Sequence, residues 1–325
     1  MLDGFLVVDK PPGLTSHDVV AVVRAVTGAP KVGHTGTLDP FATGVLPLAL
    51  GKATRLIQYL DESLKEYDAW VRLGEATDTG DPTGTVIEQK PIPTLERKQV
   101  EKVVASFVGK RMQMPPRYSA IKVQGRPLYD YARAGKEVTV NARPIEVYGM
   151  ELLELEEGRL RVLIRCSRGT YARVLAEELG VALGTVAHLE ALRRTRSGDF
   201  LLPGAMTLSQ LAEAAAGDPV WTKVLRPARG EQRTPWFPRE QVEESLRRWI
   251  QPPQRLVQHP PALQLSDCEV RRLRQGITPG RVAGHNVPVV LLSGEEVLMV
   301  VAPGPAKGLT PEQVSDNSAA TRESR

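Results

Sequence analysis

The chain has 325 residues, of which 42% are hydrophobic, and a formal net charge of +4. That length fits two domains, or one large and one small, of an ordinary folded protein; the mild basic excess allows a nucleic-acid partner without demanding one. No apolar run approaches the ~20 residues of a membrane helix, the N-terminus lacks the pattern of a secretory signal, and Cys166 and Cys268 have no metal-type spacing, so a cytoplasmic protein with two free thiols is expected.

Phe5 to Val8 is a short apolar run ahead of Asp9-Lys10-Pro11-Pro12-Gly13, and predicts a buried strand entering a rigid turn. Ser16 is placed as the cap of a helix whose Val19, Val22, Val23 and Val26 fall at helical spacing. Lys10 taken alone reads as an ordinary exposed lysine. Its position, at the end of a strand and stiffened by two prolines, is one where a loop is held for function.

Lys31 to Leu56 fits neither plain core nor solvated loop. It opens polar and glycine-rich, and Val45 to Leu50 is apolar enough to be buried. Its one acid, Asp39, precedes Pro40, which biases it toward extended geometry. The expectation is a polar loop on a buried support, presenting His34, Thr35 and Asp39. The spacing of a nucleotide-binding P-loop is absent, and the five histidines are scattered without ligand spacing, so no metal is expected. A lone Asp before Pro is most often a turn residue; the density of unusual residues around Asp39 argues for more.

Tyr67 shares a strand face with Ala69, Val71 and Leu73, where a core tyrosine is the plain reading. Asp78 and Asp81 read as loop acids. Thr94 is expected to cap a helix carrying Val100, Val103, Val104 and Phe107. From Pro115 onward Arg117, Tyr118, Lys122, Tyr129, Tyr131, Arg133 and Arg143 interleave charge with rings. This is the composition of a surface that holds phosphates and stacks bases, or of a solvated basic face with a few core tyrosines. Leu160, Val162, Ile164 and Cys166 alternate along a strand, with Cys166 a small buried hydrophobe. Gly169-Thr170 turns into a helix carrying Tyr171, Val174, Leu175 and Leu179, closed by Gly180. Arg173 in its first turn opposes the helix dipole, and a specific anionic partner would explain it. After Leu192 come Arg193, Arg194 and Arg196, which solvent alone could accommodate.

The string Gly-His-Thr-Gly-Thr-Leu-Asp-Pro-Phe-Ala-Thr-Gly-Val-Leu-Pro, with Asp9-Lys10-Pro11-Pro12-Gly13 before it and Pro-Arg-Tyr-Ser-Ala-Ile-Lys, Gly-Thr-Tyr-Ala-Arg and Leu-Arg-Arg after it, resembles the TruB family of tRNA pseudouridine-55 synthases over about the first 200 residues. The resemblance implies that Asp39 is the catalytic carboxylate and Arg173 its partner. It implies that Tyr67 stacks on the target uracil, that Lys10 and Pro11 buttress the site, and that Leu192 packs near the base with Tyr171 in the same support. His34 would help displace the base. Thr35, Arg117, Tyr118, Lys122, Arg133, Arg143 and Arg193 are expected on the RNA side. The implied reaction flips a T-loop uridine of tRNA and isomerises it to pseudouridine, with no cofactor or metal. Relatives in eukaryotes and archaea use guide RNAs; the lack of long basic extensions here favours a monomer acting alone. A synthase acting on another RNA, and a non-catalytic tRNA-binding or chaperone protein, are the alternatives.

The expected fold is α+β. Residues 1–213 form a pseudouridine-synthase catalytic domain with a mixed, mainly antiparallel sheet, and 214–257 form a connecting segment with a helix from Arg239 to Ile250. Residues 258–305 form a small PUA-like β-barrel that binds RNA, and 306–325 a disordered tail. Within the barrel, Ser266 to Glu269 is a capping box opening a helix that ends at Gly276. Val287–Leu292 and Glu296–Ala302 make a hairpin across Ser293-Gly294.

Overall fold

Strands β1 (Gly4–Lys10) and β3 (Thr43–Leu50) are apolar at nearly every position because both their faces are covered. They pair antiparallel from Gly4 with Leu50 to Lys10 with Gly44. On one face Leu6, Val8, Leu46 and Leu48 join the main core. On the other, Phe5, Val7, Val45 and Ala49 pack with Phe200 and with Ala53 and Leu56 of a 3-10 helix, Gly51–Tyr59. The structure is a computed structural model that describes residues 2–60, 64–136, 138–214, 239–252, 262–275, 277, 289–294 and 296–301.

The remaining strands are β2 (Val32–His34), β4 (Leu64–Leu73), β5 (Glu75–Thr77), β6 (Val86–Gln89), β7 (Gly109–Gln113), β8 (Lys122–Val123), β9 (Arg126–Pro127), β10 (Arg143–Glu156), β11 (Arg159–Ser167), β12 (Ala187–Ser197), β13 (Phe200–Leu201), β14 (Met206–Thr207) and β15 (Ile250–Gln251). One sheet runs β14-β1-β3-β12-β4-β11-β10-β7, with β2 on β3, β13 on β12 and β15 on β1; β5–β6 and β8–β9 are separate ribbons. In that sheet β1–β14 and β3–β12 are parallel and the other described pairs antiparallel, the mixed, mainly antiparallel arrangement expected.

Strict alternation sorts the central strands. Lys65, Tyr67, Ala69, Val71 and Leu73 of β4, and Leu160, Val162, Ile164 and Cys166 of β11, face the core. The opposite face carries an ion-pair lattice: Arg161 bridges Asp68 and Glu154, and Arg165 bridges Glu66 and Glu151. The Arg159 guanidinium lies 4.6 Å over the Trp70 ring. Exposed pairs of this kind are worth about 0–1 kcal/mol each. Their effect is to pair off the arginines on this face.

Helices α1 (Ser16–Thr27), α2 (Arg97–Ala105) and α4 (Ala172–Ala182) put residues into the main core, while α3 (Leu128–Arg133) follows the β8–β9 ribbon. Three helix ends differ from expectation. Thr15, not Ser16, caps α1, in a reciprocal capping box with Asp18, and Ser16 turns inward. Thr94 does not cap α2; the chain stays non-helical to Glu96. Gly180 lies inside α4, where a Cβ would sit 2.6 Å from that of Ala187. It is a close-packing glycine rather than a terminator.

After α5 (Leu208–Ala214), the segment 215–238 lies outside the described residues. The helix expected from Arg239 to Ile250 is present as α6 (Arg239–Leu246) but ends earlier, running through a 3-10 turn at Arg247–Trp249 into β15, which takes Ile250. Val242 and Leu246 enter the main core, so this part packs on the first 214 residues. Farther on, β16 (Ala262–Gln264) pairs parallel with β17 (Val289–Ser293), which pairs antiparallel with β18 (Glu296–Val301) as the expected hairpin. The Ser266–Glu269 capping box opens α7 (Asp267–Arg274). Gly276, residues 278–288 and the expected tail at 306–325 lie outside the described residues. Among those described, no helix is long and apolar enough to cross a membrane.

Candidate active site

Asp39 sits in the turn between β2 and β3, and almost every neighbouring backbone group is tied down. Ser16 Oγ accepts from Leu38 N–H at 2.9 Å and donates to Leu38 O at 3.2 Å. Pro40 O accepts from Gly13 N–H and from Lys10 Nζ, at 2.9 and 3.1 Å. Lys10 Nζ also donates to Pro11 O and Leu14 O at 2.8 and 2.7 Å. The Arg194 guanidinium donates to Gly36 O, Thr37 O and Val45 O at 3.0, 3.3 and 2.7 Å. The loop is polar but not loose.

Arg173 reaches this loop from the first turn of α4. Its Nε lies 3.0 Å from Asp39 Oδ2 and its Nη2 lies 3.3 Å from Asp39 Oδ1, a two-point grip. The remaining donors are used on Thr79 O at 2.9 Å and Tyr118 O at 2.8 Å, and Asp81 Oδ2 is 3.7 Å from Nη1. The Arg173 side chain is only 4% exposed, whereas Asp39 keeps 33% of its surface open. The guanidinium is internal furniture and the carboxylate remains reachable. Gln113 fixes the approach of α4: its amide donates to Tyr171 O and accepts from Tyr171 N–H, at 3.1 and 2.8 Å.

Burial pushes the Asp39 carboxyl above its ordinary 3.8 and nearby Asp81 adds to this, while Arg173 and Lys10 pull it back. Burial draws the Lys10 ammonium down to about 8, against the pull of Asp39. Burial raises the Tyr67 phenol to about 12 although the Arg194 charge opposes it. Tyr171 is also raised by burial and feels both Arg173 and Asp39. Cys166, raised to about 12 by burial, is inert as a nucleophile.

A sequence profile of the TruB family pseudouridylate synthase N-terminal domain matches residues 24–172, and one of the tRNA pseudouridylate synthase B C-terminal domain matches residues 173–229. A tRNA pseudouridine synthase B of Geobacter sulfurreducens is 45% identical over 278 residues, 85% of this chain and 91% of the relative. The chain belongs to the TruB family of pseudouridylate synthases. Another relative, the tRNA pseudouridine synthase B of Chromohalobacter salexigens, is 49% identical over 215 residues, 66% of this chain and 70% of its own. Among solved structures, a chain of a Cbf5–Nop10–Gar1 complex aligns with a TM-score of 0.64 at 28% identity, covering 95% of this chain and 86% of that one. A chain of an H/ACA ribonucleoprotein bound to a substrate RNA containing 2′-deoxyuridine aligns equally well, over 96% and 81%.

Of the residues the TruB resemblance singles out, the structure brings Arg173, Tyr67, Tyr171 and Lys10 within electrostatic reach of Asp39. Leu192 is buried in the same core cluster as Tyr67, and the Pro11 carbonyl is a Lys10 acceptor. His34 stands at the end of β2, its ring edge-on to His17 at 5.2 Å between centroids. Thr35 Oγ1 is buried with no hydrogen-bond partner among the described residues. Arg117, Lys122, Arg133 and Arg143 are exposed, and Tyr118 lends its carbonyl to Arg173. Arg193 is engaged by Asp9 at 2.7 Å, a pair that a phosphate would have to displace.

The plain reading of three charged residues changes once their burial is known. Lys10 is wholly buried, because three carbonyls consume its donors. Asp81 is a loop acid as expected but a buried one, beside Arg173 and held by Thr79 and Thr83. The arginines after Leu192 do not share one solvated face, since Arg194 is 1% exposed. Two surface clefts of about 490 and 390 Å³ lie elsewhere, at Arg72 to Glu75 with Gln89 to Ile92, and at Ser106 to Arg111. Among the described residues no group of His, Cys, Asp or Glu could hold a metal ion.

Proposed function

We propose that this protein is a tRNA pseudouridine-55 synthase, isomerising the T-loop uridine of tRNA. The observation that carries the reading is one reachable carboxylate, Asp39, gripped at two points by a buried arginine, in a chain 45% identical to a tRNA pseudouridine synthase B across 91% of that relative.

A uridine stacked inside a folded loop must leave the stack before its N1–C1′ bond can be reached. His34 fills the vacated space, and the uracil lies against the Tyr67 ring. Asp39, ionised and oriented by Arg173, acts on the nucleotide to break N1–C1′. The freed uracil turns in place, C5 bonds to C1′, the C5 proton leaves and N1 takes up one proton, so product and substrate are isomers and nothing is consumed. A detached base must be kept from water; the buried Leu38 and Leu192 support that. Exposed Arg117, Lys122, Arg133 and Arg143 serve phosphates. The segment 258–305 is read as a PUA-like unit that adds RNA contact, and the protein as a cytoplasmic monomer acting without a guide RNA.

The test is to incubate the purified protein with unmodified tRNA and map pseudouridine chemically. A single new pseudouridine in the T loop is expected. Modification only at other positions, or only when a guide RNA is added, would contradict the reading.

A further inference from the structure

Arg194 lies entirely inside the protein, at 1% exposure. Burying a guanidinium without a carboxylate partner costs several kcal/mol; among the described residues its donors go to three backbone carbonyls, with the Tyr67 hydroxyl beside them. Those carbonyls are not scattered. Gly36 and Thr37 precede Asp39 and Val45 follows it, so the planar fork closes the base of the catalytic loop from both sides. An arginine can do this with fixed geometry, whereas a lysine offers a point charge on a flexible stem.

The backbone at Arg194 is equally committed. On β12 it aligns with Gly44 of β3 on one side and Tyr67 of β4 on the other. Gly44 has φ +100, and a Cβ there would lie 2.2 Å from Arg194 O, so β3 approaches closely only because this position is glycine. The charge of Arg194 also faces the Tyr67 hydroxyl. Its neighbour Arg193 points the other way, half-exposed and paired with Asp9. Two adjacent arginines thus have opposite placements, one internal and one at the surface.

We propose that Arg194 is a positioning residue for the isomerisation: it locks the Asp39 loop to the strand opposite Tyr67, so that carboxylate and stacking ring keep one spacing while the uracil turns between them. This rests on the reading of the protein as a pseudouridine synthase. Asp39 is anchored through the carbonyls on either side of it, Tyr67 through its register with β12, and Arg194 is the residue common to both. The exposed cations read as phosphate contacts, Arg117, Lys122, Arg133 and Arg143, are not among the groups Arg194 holds, so losing the lock slows chemistry more than it loosens the RNA.

The experiment compares wild type, Arg194→Lys and the double variant Arg194→Lys/Tyr67→Leu by single-turnover pseudouridine formation and by tRNA dissociation constant. Arg194→Lys is expected to keep tRNA affinity and lose about 10²-fold in rate, the scale of a small misplacement of reacting groups. The loss should be smaller when Tyr67 is already Leu, because residues sharing one geometry are not additive. A folded Arg194→Lys with the wild-type rate, a rate loss that only tracks weaker binding, or strict additivity would overturn the proposal. If Arg194→Lys does not fold, hydrogen exchange of the wild-type protein decides. Slow exchange across residues 36–45 in the free enzyme is expected, and fast exchange that slows only on binding tRNA would overturn it. Wild type that makes no pseudouridine would instead refute the reaction itself.

Discussion

Arg173 and Asp39 are 134 positions apart in the chain and meet through two contacts, of 3.0 and 3.3 Å. The arginine is inside and the acid is at the opening, so the pair points a charge outward from a fixed base. Arg173 is itself held by Thr79 O and Tyr118 O, which ties α4, the loop after β5 and the segment before β8 to one carboxylate.

That geometry sets a pH dependence. Burial raises the Asp39 carboxyl above 3.8 and Arg173 opposes the rise. With the ionised carboxylate as the proposed working form, the rate should be full above the raised pKa and lost as pH falls through it. The acid limb of the single-turnover rate is predicted to lie above 3.8, and Arg173→Gln should move it higher still while lowering the plateau. A limb at or below 3.8, or one that Arg173→Gln shifts downward, contradicts this.

Tyr67 is predicted to act through its ring. Tyr67→Phe keeps the stacking face and loses only the hydroxyl that Arg194 faces. Tyr67→Leu also gives up base stacking, worth about 1–3 kcal/mol. Single-turnover rates should therefore fall in the order wild type, Phe, Leu. Equal rates for Phe and Leu would remove the stacking role.

Lys10→Met should destabilise the fold before it touches chemistry. It removes the donor to the Pro11 and Leu14 carbonyls and leaves Pro40 O only the Gly13 N–H, and a buried unsatisfied group costs about 1–3 kcal/mol. Denaturant unfolding is predicted to show a clearly lower midpoint, with a reduced rate in the folded fraction because Pro40 follows Asp39. An unchanged midpoint would show that the three contacts carry no stability.

Much of this was legible along the chain, and the reasons for the misses are physical. Alternation on β4 and β11 reports burial directly, so Tyr67 and Cys166 were placed on the correct face. The awkward charge of Arg173 in a helix's first turn pointed to an anionic partner, and the structure supplies one. Taken singly, Lys10, Asp81 and Arg194 read as exposed, because a charged residue does so until its partners are known. Those partners are mostly backbone carbonyls, threonine hydroxyls and one distant guanidinium, which the chain order announces only faintly. The chain carries two faint signals. Asp81 is flanked by Thr79 and Thr83, and Arg194 stands in a strand next to a residue of opposite placement. Helix ends slipped where two capping residues adjoin, as at Thr15 and Ser16, and where a glycine serves packing, as at Gly180.

The most direct test of the central claim is the single-turnover rate of Asp39→Asn on unmodified tRNA, with tRNA affinity measured alongside. The substitution keeps the size of the side chain and removes its charge. No detectable pseudouridine with tRNA affinity near wild type is predicted; pseudouridine formed at the wild-type rate would contradict the assignment of Asp39 as the catalytic carboxylate.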